Sequence, residues 1–388
     1  MKEYKKIFFD LTVCQPNKES KFHGGGVYGY IVFKELIKKT PNKIIAYLDT
    51  NHFVDPLVLQ NIEDQEIEVI DADKMNINDA FYKSKAQIIY SPLYSNKYDQ
   101  LIKEGVNFII TVHGLRSLEM LTDSDEPNYA TSFKDWIKAK IKLSFIGKYV
   151  KERYRRQYLN LFTAKNVRII TVSQHSKYSI KSYFPEVNVD KISVFYSPST
   201  TIYGYEKYKC LDVKERYFLI ISANRWLKNA GRAIRAFDRI FDVNPDICNT
   251  VKVLGLHKKT NVYKRIKHKD KFELMGYQTK EELEKLIANA YAFVYPTLNE
   301  GFGYPPLEAM KYGVPVISSP FSSVTEICGD AVLYANPYSI EEIENRIRIL
   351  CNNKIYQEYK TKAIVQYSQI EARQSDDLRM IVEEIINH

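Results

Sequence analysis

Short apolar runs recur along the chain and alternate with longer stretches in which apolar residues return every three or four positions. The runs KKIFFDLTV, KIIAYLD, EIEVI, QIIYSP, NFIITVHG, RIITVS and KISVFYSP read as strands, with helical patterns such as VYGYIVFKELIKK and QHSKYSIKSYF between them. A second series, RYFLIISA, TVKVLGL, KFELMGY, YAFVYP, VPVISS and AVLYANP, alternates with AGRAIRAFDRIF, TKEELEKLIANA and SIEEIENRIRIL. Strands that are apolar throughout, rather than on alternate positions, are buried on both faces, which is the mark of parallel sheets covered by helices. The pattern predicts an α/β chain of two doubly wound, Rossmann-like domains, over 1–200 and 201–370. The stretch 197–215, which lacks clean periodicity, is the best linker. Ligands are expected at strand carboxyl ends, in a central cleft between the domains.

Composition adds limits. At 388 residues, with 45% hydrophobic and 27% charged, the chain can fill two cores. No apolar run is long enough to span a membrane, and MKEYKKIFFDLTV lacks a signal-peptide pattern, so a cytoplasmic protein is expected. Five scattered cysteines without paired spacing fit a reducing compartment and no structural zinc. The net charge of +9 is concentrated: residues 134–165 carry ten Lys or Arg against two acids, interleaved with Trp136, Ile141, Phe145 and Tyr149. Two readings fit that segment, an anionic membrane surface or a solvated basic face whose apolar residues pack on the domain. Nucleic acid finds no recognition motif.

The most informative stretch is NEGFGYPPLEAMKYGVPV, residues 299–316. YAFVYP reads as a buried strand ending at Pro296. Gly301 and Gly303 permit a turn with close backbone approach, Pro305 and Pro306 suit a first helical turn, and Gly313 suits its end. Glu300 is thereby placed on a loop at a strand's carboxyl end. Glu308 is placed in the first turn of the next helix, whose free N–H groups favour anions. A buried helix start with Glu308 as dipole partner explains one acid. Two acids around a glycine loop fit a ligand better, because each carboxylate accepts two hydrogen bonds and matches a sugar diol.

Three further stretches join this pair. GGGVYG, residues 24–29, precedes a helix and offers backbone donors for a diphosphate; TVHG puts His113 at the end of an apolar strand; SANRWLKN puts Arg225 and Lys228 just past the first strand of the second half. With these residues the chain resembles the retaining glycosyltransferases of family 4, of the GT-B fold and the group 1 type. The resemblance covers nearly the whole chain and is strongest over 272–337, where the E-x7-E signature lies.

The resemblance implies a metal-independent hexosyltransferase moving a sugar from a nucleotide diphosphate to a lipid-linked saccharide acceptor in bacterial surface polysaccharide synthesis. Donor and acceptor are substrates; no cofactor is implied. Glu308 would bind the ribose, and Glu300 the transferred sugar with the backbone of Gly301, Phe302 and Gly303. Arg225 and Lys228 would neutralise the diphosphate. Gly25 and Gly26 would let the first domain approach the donor, His113 would contact the sugar, and Gly276 and Tyr277 would meet the base. Residues 371–388 would cross back to the first domain. Arg225-x-x-Lys228 is more closely spaced than is common in the family, and Asn229 and Arg232 follow at once.

Rival readings remain. Gly24-x-Gly26-x-x-Gly29 matches a dinucleotide fingerprint, as in an oxidoreductase, with Asp49 ending the next strand. That fingerprint needs its glycines directly after the strand, whereas CQPNKESKFH intervenes. DSD at 123–125 is the pattern of a metal-dependent transferase, but reads better as a solvated turn. A non-catalytic sugar-nucleotide-binding protein of the same fold is the third. Ser173 reads as a helix N-cap, His175 as a helix residue, and Glu326 either as a dipole partner or as a donor contact.

Overall fold

The computed structural model describes residues 5–16, 23–200, 217–248 and 250–388. Most of the linker candidate therefore lies outside the described residues. Thirteen strands form in them, each within one residue of one of the apolar runs. They are β1 Ile7–Asp10, β2 Ile44–Leu48, β3 Glu68–Asp71, β4 Ile88–Ser91, β5 Asn107–Val112, β6 Val167–Thr171 and β7 Ile192–Val194, then β8 Tyr217–Ile220, β9 Thr250–Leu254, β10 Phe272–Met275, β11 Ala292–Tyr295, β12 Val316–Ser318 and β13 Val332–Tyr334. The first seven make one sheet in the order β3-β2-β1-β4-β5-β6-β7, and the other six a second in the order β10-β9-β8-β11-β12-β13. Every pairing is parallel; Ile7, for example, faces Ile44 on β2 and Ile88 on β4. The inner strands β1, β2, β4, β8 and β11 are buried at every residue, as two covered faces require. In both sheets the order reverses beside the first strand, between β1 and β4 and between β8 and β11. At such a point the loops leave in opposite directions and open a crevice at the strand carboxyl ends.

The chain separates into two compact units, one of Met1–Leu115, Arg153–Thr200 and Ala372–His388, the other of Arg116–Glu152 and Thr201–Glu371. The last helix runs unbroken over Asn353–Asn387. Its end packs within the first unit: Gln374 Nε2 donates to Ser197 O (2.6 Å), Asp377 Oδ2 accepts from Tyr196 N (2.7 Å), and Ile381, Val382 and Ile385 are buried.

Residues 116–152 depart from a plain 1–200 domain, because they are stapled to the second unit by buried charge. Asp123 receives both a 2.9 Å and a 3.2 Å hydrogen bond from Arg232 Nη2, and Asp125 receives Arg235 at 3.1 and 3.2 Å, while Glu126 pairs with Lys142 inside the segment itself. Gly231 N donates to the Tyr129 hydroxyl at 2.6 Å, and a β-carbon at Gly231 would lie 2.9 Å from that oxygen. The DSD motif is therefore no solvated turn. Asp123 and Asp125 are buried, and their charges sit beside the first turn of helix Ala230–Val243, where the backbone dipole favours them. The sequence pattern alone hides this, since the partners lie about a hundred residues downstream.

Candidate active site

The second unit's crevice is built by two loops locked together. After β8 the chain makes a tight turn, Trp226–Lys228, and Asn229 takes a left-handed conformation, φ 58°. The Asn229 amide then donates to Pro296 O (2.9 Å) and Pro337 O (2.7 Å), tying the β8 loop to the loops after β11 and β13. Arg232 holds the same amide's oxygen at 2.8 Å. Leu298 N and Thr297 Oγ1 both reach back to Leu227 O, at 2.8 and 3.2 Å.

This zipper aims Lys228 at Glu300. Lys228 Nζ lies 2.5 Å from Glu300 Oε1, with both side chains buried, and Thr297 Oγ1 lies 3.0 Å from the same oxygen. The loop backbone is equally pinned. Glu300 N donates to Ser322 Oγ (2.7 Å), and the Ser323 hydroxyl lies between the carbonyls of Glu300 (3.1 Å) and Phe302 (2.9 Å) and donates its one proton to this pair. Burial pulls the Lys228 ammonium down to about 8, against the opposing pull of Glu300 and with the help of Arg116 and Arg225. Burial works against an ionised Glu300, but Lys228 and then Arg116 outweigh it, and its carboxyl stays below the usual range. Arg225, half-buried, forms no ion pair among the described residues.

Gly303 sits at φ 108°, which accounts for a glycine before the helix Tyr304–Lys311. That helix corrects two expectations. It starts at Tyr304, so Glu308, half-exposed, stands in its second turn rather than its first. Pro305 and Pro306 carry no N–H and Leu307 N bonds Gly303 O, so little of the expected anion cradle remains. Lys311 pairs with Glu284 at 3.7 Å; burial lowers its pKa while Glu284 and Glu308 support its charge. The helix stops as expected: Gly313, φ 64°, donates to Met310 O and Val314 N to Ala309 O, a Schellman closure. Tyr277 stands 76% exposed after β10, beside an unobstructed Gly276. Glu326 lies in the first turn of helix Val324–Cys328, just past the serines that hold the Glu300 loop.

In the first unit the glycines are not a loop before the helix but its first turn, Gly24–Lys39, with His23 as N-cap. Gly26 N donates to His23 Nδ1 (3.1 Å), while Gly24 N and Gly25 N have no acceptor among the described residues. Gly25 packs on Leu93 and Gly26 on Cys14 O closely enough that a β-carbon would collide, so close packing under the sheet's carboxyl edge is one reason for these glycines. Thirteen residues separate β1 from this helix, which also disfavours a dinucleotide fingerprint. His113 follows β5, stacks edge-on against Tyr28 at 4.7 Å, and holds Pro92 O at 3.0 Å through Nε2. Burial lowers its pKa to about 4, so the ring is neutral at pH 7. With Nε2–H given to the carbonyl, Nδ1 is left as an acceptor. Ser173 is the N-cap of helix Gln174–Tyr183, accepting from Ser176 N at 3.1 Å, as expected.

Two doubly wound parallel sheets, with the second presenting cations and an acid at its switch point, define a protein of the GT-B glycosyltransferase fold class. Residues 207–367 match the family model for glycosyl transferases group 1. The chain is 32% identical over 193 residues to the O-antigen chain mannosyltransferase RfbU of Salmonella typhimurium, covering 49% of this chain and 52% of that protein. It is 48% identical over 73 residues to O-antigen chain mannosyltransferase B of Escherichia coli, 19% of each. The chain thus spans about half the length or less of these curated relatives. Among solved structures it resembles Anabaena HepE in complex with UDP and glucose, with TM-score 0.66 at 14% identity over 99% of this chain and 100% of that one. It also resembles WaaG, a glycosyltransferase involved in lipopolysaccharide biosynthesis, with TM-score 0.66 at 11% identity over 97% and 99%.

Proposed function

We propose that the protein is a retaining, metal-independent glycosyltransferase that moves a hexose from a nucleotide diphosphate to a saccharide acceptor during bacterial surface polysaccharide assembly. The observation that carries this is the buried Lys228–Glu300 pair at the switch point of the group 1 domain. An ammonium has three N–H donors, and Glu300 occupies one, so others remain for a phosphate oxygen. As the sugar–diphosphate bond breaks, charge builds on the departing oxygen, and Lys228 and Arg225 are the cations that stabilise it in this reading, in surroundings that strengthen the effect. Glu300 holds hydroxyls of the sugar, with the backbone at Gly301, Phe302 and Gly303; Glu308 holds the ribose and Tyr277 the base. Gly25, Gly26 and His113 are further donor contacts in this reading. Retention follows if the acceptor attacks the face the diphosphate leaves and gives it its proton. Metal independence is favoured because Asp123 and Asp125, the D-x-D pair, are each committed to an arginine. The relatives' names make a mannosyl residue the first sugar to test.

The acceptor side includes an anionic membrane surface. Helices Phe133–Leu143 and Ile146–Thr163, with the short link between them, leave Phe133, Phe145 and Tyr149 exposed by 74%, 77% and 75%, among a row of lysines. The alternative, apolar residues packed on the domain, does not describe these three. No helix among the described residues is long and apolar enough to cross a membrane.

The test is thermal stabilisation by UDP, GDP, UDP-glucose and GDP-mannose, with chelator and with magnesium. Stabilisation by one nucleotide in chelator, and turnover of its sugar, is expected. Stabilisation that needs the metal would overturn metal independence, and no response to any nucleotide would overturn the donor reading.

A further inference from the structure

We propose that Arg116, on the loop that follows β5, supplies a third cation to the diphosphate-binding face. The inference rests on the donor reading above. Arg116 opens the short helix Arg116–Glu119, and that helix is docked beside the Glu300 loop: the Glu119 carboxylate accepts a hydrogen bond from Asn299 Nδ2, one residue before Glu300. The Met120 sulfur meets the Tyr338 hydroxyl at 3.9 Å, and the buried Asp123–Arg232 and Asp125–Arg235 pairs follow within a few residues. Arg116 therefore belongs to a segment held on the second unit rather than to a wandering loop.

Arg116 is exposed and has no ion pair among the described residues, and the half-buried Arg225 likewise forms none. Arg232, by contrast, is committed to Asp123. The charge of Arg116 is felt at the buried pair, where it opposes the Lys228 ammonium and favours the Glu300 carboxylate. Arg116 and Arg225 thus both bear on Lys228, and a single carboxylate, Glu300, pairs with that lysine. Like charges held together repel until an anion arrives, and a nucleoside diphosphate brings the charge that balances them. Arginine suits this place because its planar fork bonds two phosphate oxygens at once.

The experiment is titration of wild type, Arg116→Ala and Arg116→Lys with UDP, GDP, uridine and guanosine. Arg116→Ala is expected to lose at least tenfold in affinity for whichever diphosphate binds, with nucleoside affinity within twofold and an unchanged melting temperature without ligand. The dependence of diphosphate affinity on salt should become shallower, and Arg116→Lys should recover part of the loss. Unchanged diphosphate affinity in Arg116→Ala would overturn the inference and leave the donor reading standing. Equal loss for nucleoside and diphosphate would mean a structural role and overturn it too. If wild type binds neither UDP nor GDP, the donor reading falls and the inference falls with it.

Discussion

Lys228 and Glu300 meet at 2.5 Å with both side chains almost fully buried, so the cation from the loop after β8 and the acid from the loop after β11 hold each other before any ligand arrives. A buried pair of this kind is costly to break from one side only, since the survivor is left charged and dry. Here the survivor has an outlet, because an ammonium already lowered to about 8 can shed its proton.

Glu300→Gln should therefore cost less stability than the roughly 3–5 kcal/mol typical of halving a buried pair. Turnover should drop on the order of a hundredfold, as when one fixed polar contact to a transition state is lost, while free-nucleotide affinity is kept. Glu308→Ala should do the reverse, weakening free nucleotide about tenfold as a charged hydrogen bond to ribose is lost. Calorimetry and initial rates on both variants decide the matter; equal loss of nucleotide affinity would refute the division of roles.

Arg232→Met leaves Asp123 buried without its cation and should destabilise the protein by about 3–5 kcal/mol in urea unfolding. Adding Asp123→Leu should recover most of the loss, because an apolar pair of similar volume avoids the desolvation that the ions suffer. A single-variant effect within experimental error would show that the staple contributes nothing.

His113 makes stability fall in acid. Its pKa is about 4 in the folded protein against an ordinary 6.5, so between those values the unfolded chain binds more protons. The stabilising contribution of the neutral ring is complete above pH 6.5 and is lost as pH falls towards 4. Between pH 7 and 4.5, wild type should lose roughly 2 kcal/mol more than His113→Gln. Parallel pH profiles of the two proteins would disprove the buried neutral state.

Binding to vesicles should rise with anionic lipid and fall with salt, each cation near the surface contributing about 1 kcal/mol. Reversing Lys134, Lys140, Lys148 and Arg153 to glutamate, with Phe133→Ser and Phe145→Ser, should release the protein while sparing nucleotide binding. Co-sedimentation measures both. Wild type that ignores anionic vesicles at low salt would reduce these helices to a solvated face.

The sequence by itself determined the two-sheet α/β plan, because strands buried on both faces must be apolar throughout, and that pattern survives whatever they pack against: each of the thirteen runs became a strand. It likewise determined the end of helix Tyr304–Lys311, since a left-handed glycine acts through its own backbone angles. Tertiary structure alone decided which charges meet. Nothing local distinguishes Lys228, bound to Glu300, from Arg232, bound to Asp123, or from Arg225, left without a carboxylate among the described residues. Nor does anything local show that DSD is buried or that GGG is already helix. Pattern and propensity act between neighbours in the chain, whereas ion pairs and close glycine contacts depend on residues up to about a hundred positions away, which only the folded chain brings within reach.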